Sequence, residues 1–270
     1  MRRSLLSTLL IVALAAFCAA GAAADGGPSP GIDFGAIGIT GPGGQLRYVA
    51  VPGQTGTVVE AIRTHGGRIQ RWVPLRGPYG VPFVTNDRQT GGLSHDGRTL
   101  VLASYATAPG ALSATHFAVL STPLLRKLQI VTLRGSYSYD ALSPDARTLY
   151  LIQYTSGRDY THYRVRAYDL ERRHLLPQAI VDKREPSEVM AGVPVTRVTS
   201  ADGRWVYTLY ARQKGRSFVH ALDTMRRHAV CLDLELRATQ GVRLSLSRDE
   251  NQIVLTQRNG IRLAAIRAPG

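Results

Sequence analysis

Four aspartates stand at near-even steps along the chain. They are Asp96, Asp145, Asp202 and Asp249, separated by 49, 57 and 47 residues. Carboxylates gathered in this way could hold a divalent cation or divide general acid and base roles. Their neighbours point elsewhere. Each lies in a phrase of one type: Ser94-His95-Asp96-Gly97-Arg98, Ser143-Pro144-Asp145-Ala146-Arg147, Ser200-Ala201-Asp202-Gly203-Arg204 and Ser247-Arg248-Asp249-Glu250-Asn251. A short carboxylate in such a phrase accepts backbone N–H bonds within a turn, and the residue after it takes φ > 0, which favours glycine. The four aspartates are therefore read as structural turns.

The other reactive side chains form no pattern that chemistry requires. His65, His95, His116, His162, His174, His220 and His228 show neither His-x-x-x-His nor Glu-x-x-His spacing, so no metal site is expected. There is no Gly-x-Ser-x-Gly elbow. The glycine-rich Gly41–Gly44 is not followed by the helix that phosphate cradles use. Catalytic residues: none; cofactors: none. Cys231 lies in an apolar run, Ala229 to Leu234, and is expected to be a buried, inert thiol.

Seven tyrosines crowd the centre of the chain: Tyr137, Tyr139, Tyr150, Tyr154, Tyr160, Tyr163 and Tyr168. Tyr150 and Tyr168 fall in apolar runs and belong to packing. Tyr137 and Tyr139 are read as part of a connection between units, and Tyr160 as part of a loop. Aromatic rings on loops offer apolar area with a polar tip. Arg158, Asp159, Lys183, Arg184 and Glu185 are expected on the same side, the last three within the long connection from Asp182 to Pro194. The expected ligand-binding set is Tyr139, Asp140, Asp159, Tyr160, Arg184 and Glu185, gathered on one upper face.

The elements that would carry these residues are strands. Each Ser-x-Asp phrase is followed by a β-rich run: Thr99 to Tyr105, Thr148 to Tyr154, Trp205 to Tyr210 and Gln252 to Thr256. A second turn repeats in step, Asp169 to Arg173 and Asp223 to Arg227, each with a strand before and after it. A repeat of about fifty residues holding two hairpin turns is one four-stranded sheet unit. The first unit is degenerate, with Gly41-Pro42-Gly43-Gly44 as its turn and strands near 46–51, 57–63 and 69–75. The last has three strands, at 242–246, 252–256 and 261–266. Residues 32–39 are the expected donor of its fourth strand, because closure removes an open edge.

The ends and the composition set the setting. Arg2 and Arg3, an apolar stretch from Leu5 to Ala16, and Ala22-Ala23-Ala24 before Asp25 read as a secretory signal peptide over 1–24, cleaved after Ala24. Residues 25–33 read as a flexible linker and 34–270 as one domain. No transmembrane segment is expected after cleavage. The formal net charge is +14, and the basic residues are almost all arginine, scattered without runs. Nucleic-acid binding is not expected. Attraction to an anionic cell-envelope polymer follows from the charge.

The phrase Ser143-Pro144-Asp145-Ala146-Arg147-Thr148-Leu149-Tyr150 and the pairs Tyr168-Asp169-Leu170 and Leu222-Asp223-Thr224 resemble exported bacterial β-propellers of the YVTN and WD-repeat type. Tyr139 to Asp145 and His220 to Thr224 resemble a group of actinobacterial exported proteins. The resemblance implies an all-β fold, a β-propeller of about five four-stranded blades closed by an N-terminal strand. No activity is carried across by the resemblance; with no catalytic pattern among the residues, the expected function is non-catalytic binding of a cell-envelope component or protein partner through the upper face. The alternative is a propeller hydrolase or lactonase with carboxylates at the channel mouth. Asn86-Asp87 is the nearest match to such a set.

Overall fold

The computed structural model describes residues 31–35, 37–104, 114–155, 163–185, 190–212, 215–236 and 239–269. Short strands β1 (Ile32–Asp33) and β2 (Ile39–Thr40) lead into β3 (Leu46–Pro52), β4 (Gly56–Arg63) and β5 (Ile69–Arg76). Then come β6 (Tyr79–Pro82), β7 (Thr99–Ser104), β8 (Ala114–Ser121) and β9 (Arg126–Arg134). The third group is β10 (Tyr137–Leu142), β11 (Thr148–Tyr154), β12 (Tyr163–Asp169) and β13 (His174–Ile180). The fourth is β14 (Val193–Thr199), β15 (Trp205–Ala211), β16 (Phe218–Asp223) and β17 (His228–Asp233). The last is β18 (Val242–Leu246), β19 (Gln252–Gln257) and β20 (Arg262–Arg267). The fold is all-β, with five antiparallel sheets ordered β2-β3-β4-β5, β1-β6-β7-β8-β9, β10 to β13, β14 to β17 and β18 to β20.

Strands β7, β11 and β15 are apolar almost throughout, and burial explains why. Leu149, Tyr150 and Leu151 of β11 are fully buried although their side chains alternate between the two faces. A strand covered on both faces reads as a continuous apolar run rather than an alternating one. Each such side chain contributes about 1.5–3 kcal/mol. The outermost strands β5 and β9 are largely exposed along their length.

The Ser-x-Asp phrases form four turns of one geometry. The serine Oγ donates to the aspartate Oδ1 at 2.6, 2.5, 2.6 and 2.6 Å in chain order. That Oγ accepts the backbone N–H of Thr99, Thr148, Trp205 or Gln252, the first residue of the next strand. The aspartate Oδ1 also accepts the N–H two residues on. The residue after the aspartate is left-handed each time: Gly97 at φ 69°, Ala146 at 55°, Gly203 at 74° and Glu250 at 57°.

Successive sheets are also clamped together. Thr57 Oγ1 donates to the carbonyl of Gly77 at 3.0 Å and accepts the N–H of Tyr79 at 2.9 Å. Thr115 does the same one sheet later, to Gly135 at 2.8 Å and from Tyr137 at 3.0 Å. The threonine at the start of a third strand thus fixes where the next sheet begins.

Hydrophobic clusters join the first sheet to the second, the second to the third, the third to the fourth and the fourth to the fifth. No cluster joins the fifth to the first among the described residues. The far face of the first sheet stays open to solvent, with Trp72 64% exposed beside Ile69 and Val51.

Four expectations need correction. The N-terminal strand does not complete the last sheet: β1 pairs with β6, with Ile32 opposite Pro82 and Asp33 opposite Val81. Gly80 permits this approach, since a Cβ there would lie 1.9 Å from Ile32 Cγ2. The Asp33 carboxylate then anchors the chain by accepting the N–H groups of Ile37 and Gly38. Second, β2 is the innermost strand of the first sheet, pairing Ile39 with Tyr48. Third, Tyr137 and Tyr139 lie inside strand β10, not on a connection. Fourth, Cys231 is half-buried rather than buried, with Sγ 3.8 Å from His220 Nδ1.

Candidate functional site

A cavity of about 170 Å³ lies between the first four sheets, against their leading strands. Its wall takes Ile39 from the first sheet, Val84 to His95 in part from the second, Tyr139 to Leu142 from the third, and Arg197 and Thr199 from the fourth. Two irregularities place the polar groups there. The register of β10 on β11 slips between Tyr139 and Ala141, so Asp140 is the extra residue of a β-bulge. A bulge re-aims the side chain it carries. The second sheet makes a larger departure. Between Pro82 and Gly92 the chain leaves β6 as a small hairpin, closed by the Phe83–Thr90 bridge and with Arg88 at φ 63°.

That hairpin docks on the innermost strand of the fourth sheet. Asn86 donates its N–H to the Pro194 carbonyl at 2.8 Å. Gln89 exchanges two bonds with the Arg197 backbone, Nε2 to its carbonyl and Oε1 from its N–H, both at 2.9 Å. Asn86 and Asp87, noted in the sequence as a possible mouth set, sit at this tip, where Asp87 accepts from Thr85 Oγ1. They serve the docking.

Arg197 is locked on every side. Its Nε donates to Thr208 Oγ1 at 2.8 Å, and its two terminal nitrogens bond the Asp140 carbonyl and Asp140 Oδ1. Both side chains of this ion pair are buried, at 9% and 3% exposure. Asp140 Oδ2 is buried with no donor among the described residues. Beside the pair, burial pushes the Tyr139 and Tyr210 phenols well above their ordinary range, and the Asp140 charge adds to it.

The first turns close one end of the axis. A Cβ on Gly97 would lie 2.5 Å from Pro42 Cδ, and one on Gly203 would lie 2.7 Å from the His95 ring. Ala201 donates its N–H to Glu250 Oε1 at 2.8 Å. Each sheet's antiparallel order places its second hairpin turn at the same end, farther from the axis. Two of those second turns carry a basic pair, Arg172 and Arg173 and then Arg226 and Arg227, and in the second sheet Arg126 and Lys127 begin β9 just after the turn, all exposed. Their geometry repeats as well, with Leu125, Arg173 and Arg227 left-handed at φ 45°, 58° and 54°. Neighbouring sheets brace them. Gln129 Nε2 donates to the Leu170 carbonyl at 3.1 Å, and the Tyr150 hydroxyl to the Thr224 carbonyl at 2.7 Å. Exposed Leu124 and Met225 lie among the basic groups.

The binding set expected from the sequence is not one surface. Tyr139 and Asp140 are buried at the axis. Arg184 is on an outer edge, where it grips Asp182 and donates to the carbonyl of Cys231 in β17 at 2.8 Å. Hydrogen bonds from Arg184, and behind them the Cys231 N–H, hold the Asp182 carboxyl well below the usual range despite its burial. Glu185 follows on that edge, exposed. Asp159 and Tyr160 lie outside the described residues. Asp140 could have been placed correctly from sequence, since a strand must precede each Ser-x-Asp turn and residues 137–142 stand there. Arg197 had no such signal.

No protein-family model matches this chain, and no curated protein sequence matches it. Solved structures show partial likeness. Hydrazine synthase of Kuenenia stuttgartiensis aligns at TM-score 0.48 and 14% identity, over 84% of this chain and 56% of that one. TolB of Acinetobacter baumannii aligns at 0.44 and 12%, over 81% and 47%. A putative TolB of Agrobacterium tumefaciens aligns at 0.45 and 15%, over 87% and 82%. The chain spans about half the length of the first two. At these values nothing about activity or partners follows for this protein.

Proposed function

We propose that the protein is an exported, non-enzymatic binding module, a β-propeller of five blades, whose basic outer rim holds an anionic polymer of the cell envelope. One observation carries this reading. Two successive sheets present a pair of basic side chains at the same second-turn position, Arg172–Arg173 and Arg226–Arg227, and in the sheet before them Arg126 and Lys127 open the strand that leaves the equivalent turn. The spacing is set by the sheets themselves and braced by Gln129 and Tyr150, so the charges face a partner as a row. Of the acidic side chains nearby, Glu171 is engaged by Arg147 at 3.0 Å and Asp223 by Arg204, while Asp169 lies 3.7 Å from Arg172 of the row itself. Such a row attracts a flexible polyanion by summed long-range charge, and salt weakens it. Leu124 and Met225 add apolar contact for the polymer's carbon skeleton.

The test uses the mature protein starting at Asp25 and inorganic polyphosphate as the probe. Binding should be saturable at low salt and fall steeply as salt rises. The triple variant Lys127→Ala, Arg172→Ala, Arg226→Ala should lose about tenfold in affinity, a few tenths of a kcal/mol per screened charge. Its melting temperature should not change, because all three side chains are exposed. Undiminished binding by the triple variant, or retention of Met1 to Ala24 in the cytoplasmic fraction, would overturn the reading.

A further inference from the structure

We infer that the outer face of the first sheet is a dimer interface, covered in solution by the same face of a second copy of this chain. This surface is separate from the basic rim and does not depend on it. Strands β3, β4 and β5 turn Tyr48, Ala50, Val59, Ala61 and Leu75 toward the second sheet. Side chains alternate along a strand, so the residues between these form the outer face. The strand register sets them in three rows: Val51, Val58 and Pro74; then Val49, Glu60 and Trp72; then Arg47, Ile62 and Ile69. Only Glu60 and Arg47 among them are polar. The sheet thus has the composition of one covered on both faces. Yet Trp72 is 64% exposed, Ile69 47% and Val51 38%. Phe34 and Ile37 extend the patch, on the segment whose Gly35 and Gly38 pass beside Val51 and Val49. Half of the exposed large apolar side chains among the described residues gather here.

The sheet at the other end of the series identifies the occupant. The fifth sheet turns Leu244, Ile253 and Leu255 toward the fourth. Its outer face presents Arg243, Ser245, Gln252, Thr256 and Arg267, with only Val254 and Ala265 as apolar members. A head-to-tail contact between copies needs two different complementary surfaces, and the fifth sheet supplies no apolar one. A two-fold contact needs a single patch that meets itself, and the first sheet supplies it. Its charges suit self-pairing. Glu60 has no ion-pair partner among the described residues, and Arg47, in the next row, donates to the Ile37 carbonyl at 3.4 Å. A two-fold axis in the plane of contact brings each Glu60 to the partner's Arg47 and leaves the apolar rows to interdigitate, as packed sheets do. Three strands about 4.8 Å apart, each of about seven residues at about 3.3 Å, make a face of roughly 14 by 23 Å. That is the small end of specific interfaces, so the dimer is reversible.

The experiment is sedimentation of the mature protein from about one to several hundred micromolar. Salt at about 0.3 M screens the net positive charge that drives the copies apart. A monomer–dimer equilibrium is expected, without larger species. Trp72 and Trp205 are the two tryptophans, and Trp205 is buried. In Trp205→Phe the emission therefore reports Trp72 alone and should move to shorter wavelength as the dimer forms. Trp72→Glu should weaken dimerisation by at least about thirtyfold, the loss of a central aromatic anchor. Its fold should persist, because the side chain is exposed. Glu60→Arg and Arg47→Glu should each weaken the dimer, and the double variant should restore it. If Trp72→Glu fails to fold, this charge exchange decides alone. Ser245→Glu, on the outer face of the fifth sheet, should change nothing. A monomer at every concentration would overturn the inference, as would a dimer that survives Trp72→Glu or a charge exchange without recovery. Loss of the dimer in Ser245→Glu, or growth to longer oligomers, would show head-to-tail contact and overturn it too.

Discussion

Ala146 holds φ at 55° in a turn where Gly97 and Gly203 hold 69° and 74°. An L residue with a Cβ pays about 1–2 kcal/mol in that region. Glycine at the same place would remove the strain but would cost about 0.4–1 kcal/mol through greater freedom of the unfolded chain. Ala146→Gly is therefore expected to be neutral or stabilising by up to about 1 kcal/mol, seen as a melting temperature raised by at most about 4 °C. Glu250 is the contrasting case. It shares the left-handed geometry at φ 57°, but its carboxylate also accepts the Ala201 N–H. Glu250→Gly gives up that link between the fourth and fifth sheets and should gain nothing. A lower melting temperature for Ala146→Gly would show that the methyl group, packed at the edge of a core cluster, outweighs the strain. The turns were legible from sequence because serine, aspartate and the next backbone N–H satisfy one another within six residues.

The elements are held to one another by a few repeated polar contacts. Thr115 is buried, and its hydroxyl links the Gly135 carbonyl to the Tyr137 N–H across the step from second to third sheet. Thr115→Val keeps the shape and strands both partners. The expected loss is about 2–3 kcal/mol, measured as a shift in urea midpoint at unchanged slope. Thr57→Val should behave alike, because it makes the same pair of bonds one sheet earlier. A loss confined to one of the two would mean that the clamps are not equivalent. Neither clamp is visible as a motif: a threonine opening a strand is ordinary, and its partners lie some twenty residues away. The hairpin over residues 83–92 was hidden for a similar reason. It has the composition of any connecting loop, and only its bonds to Pro194 and Arg197 show that it crosses to the fourth sheet.

At the scale of the molecule, the sheets bury several phenols. Burial raises Tyr139, Tyr150, Tyr163 and Tyr210 well above the ordinary value and pushes Tyr207 up to about 12. The unfolded chain ionises near pH 10. A group whose folded pKa is raised contributes stability that is fully present below the unfolded value and is lost as pH rises through the folded one. The fold is thus expected to weaken from about pH 10 upward, with phenolate absorbance and loss of β-sheet signal appearing together. Phenolate forming fully while the sheets persist would show that the tyrosines reach solvent. Among the described residues four apolar clusters join the five sheets in succession, and Trp72 stands exposed on the outer face of the first.

Sequence alone determined the strands, the turns and their repeat, because each depends on contacts between near neighbours: apolar runs where both faces are covered, and Ser-x-Asp where the chain reverses. It also carried the charge of the second turns. Tertiary structure decided what lies at the axis. Asp140 and Arg197 are fifty-seven residues apart, and their pairing depends on a bulge in one strand and on packing between two sheets. It decided as well that Arg184 turns to Asp182 and the outer strand β17, and that β1 joins the second sheet rather than the last. These outcomes follow from which edges and cavities come into reach once the sheets are packed, a property of the assembled chain that no local pattern encodes.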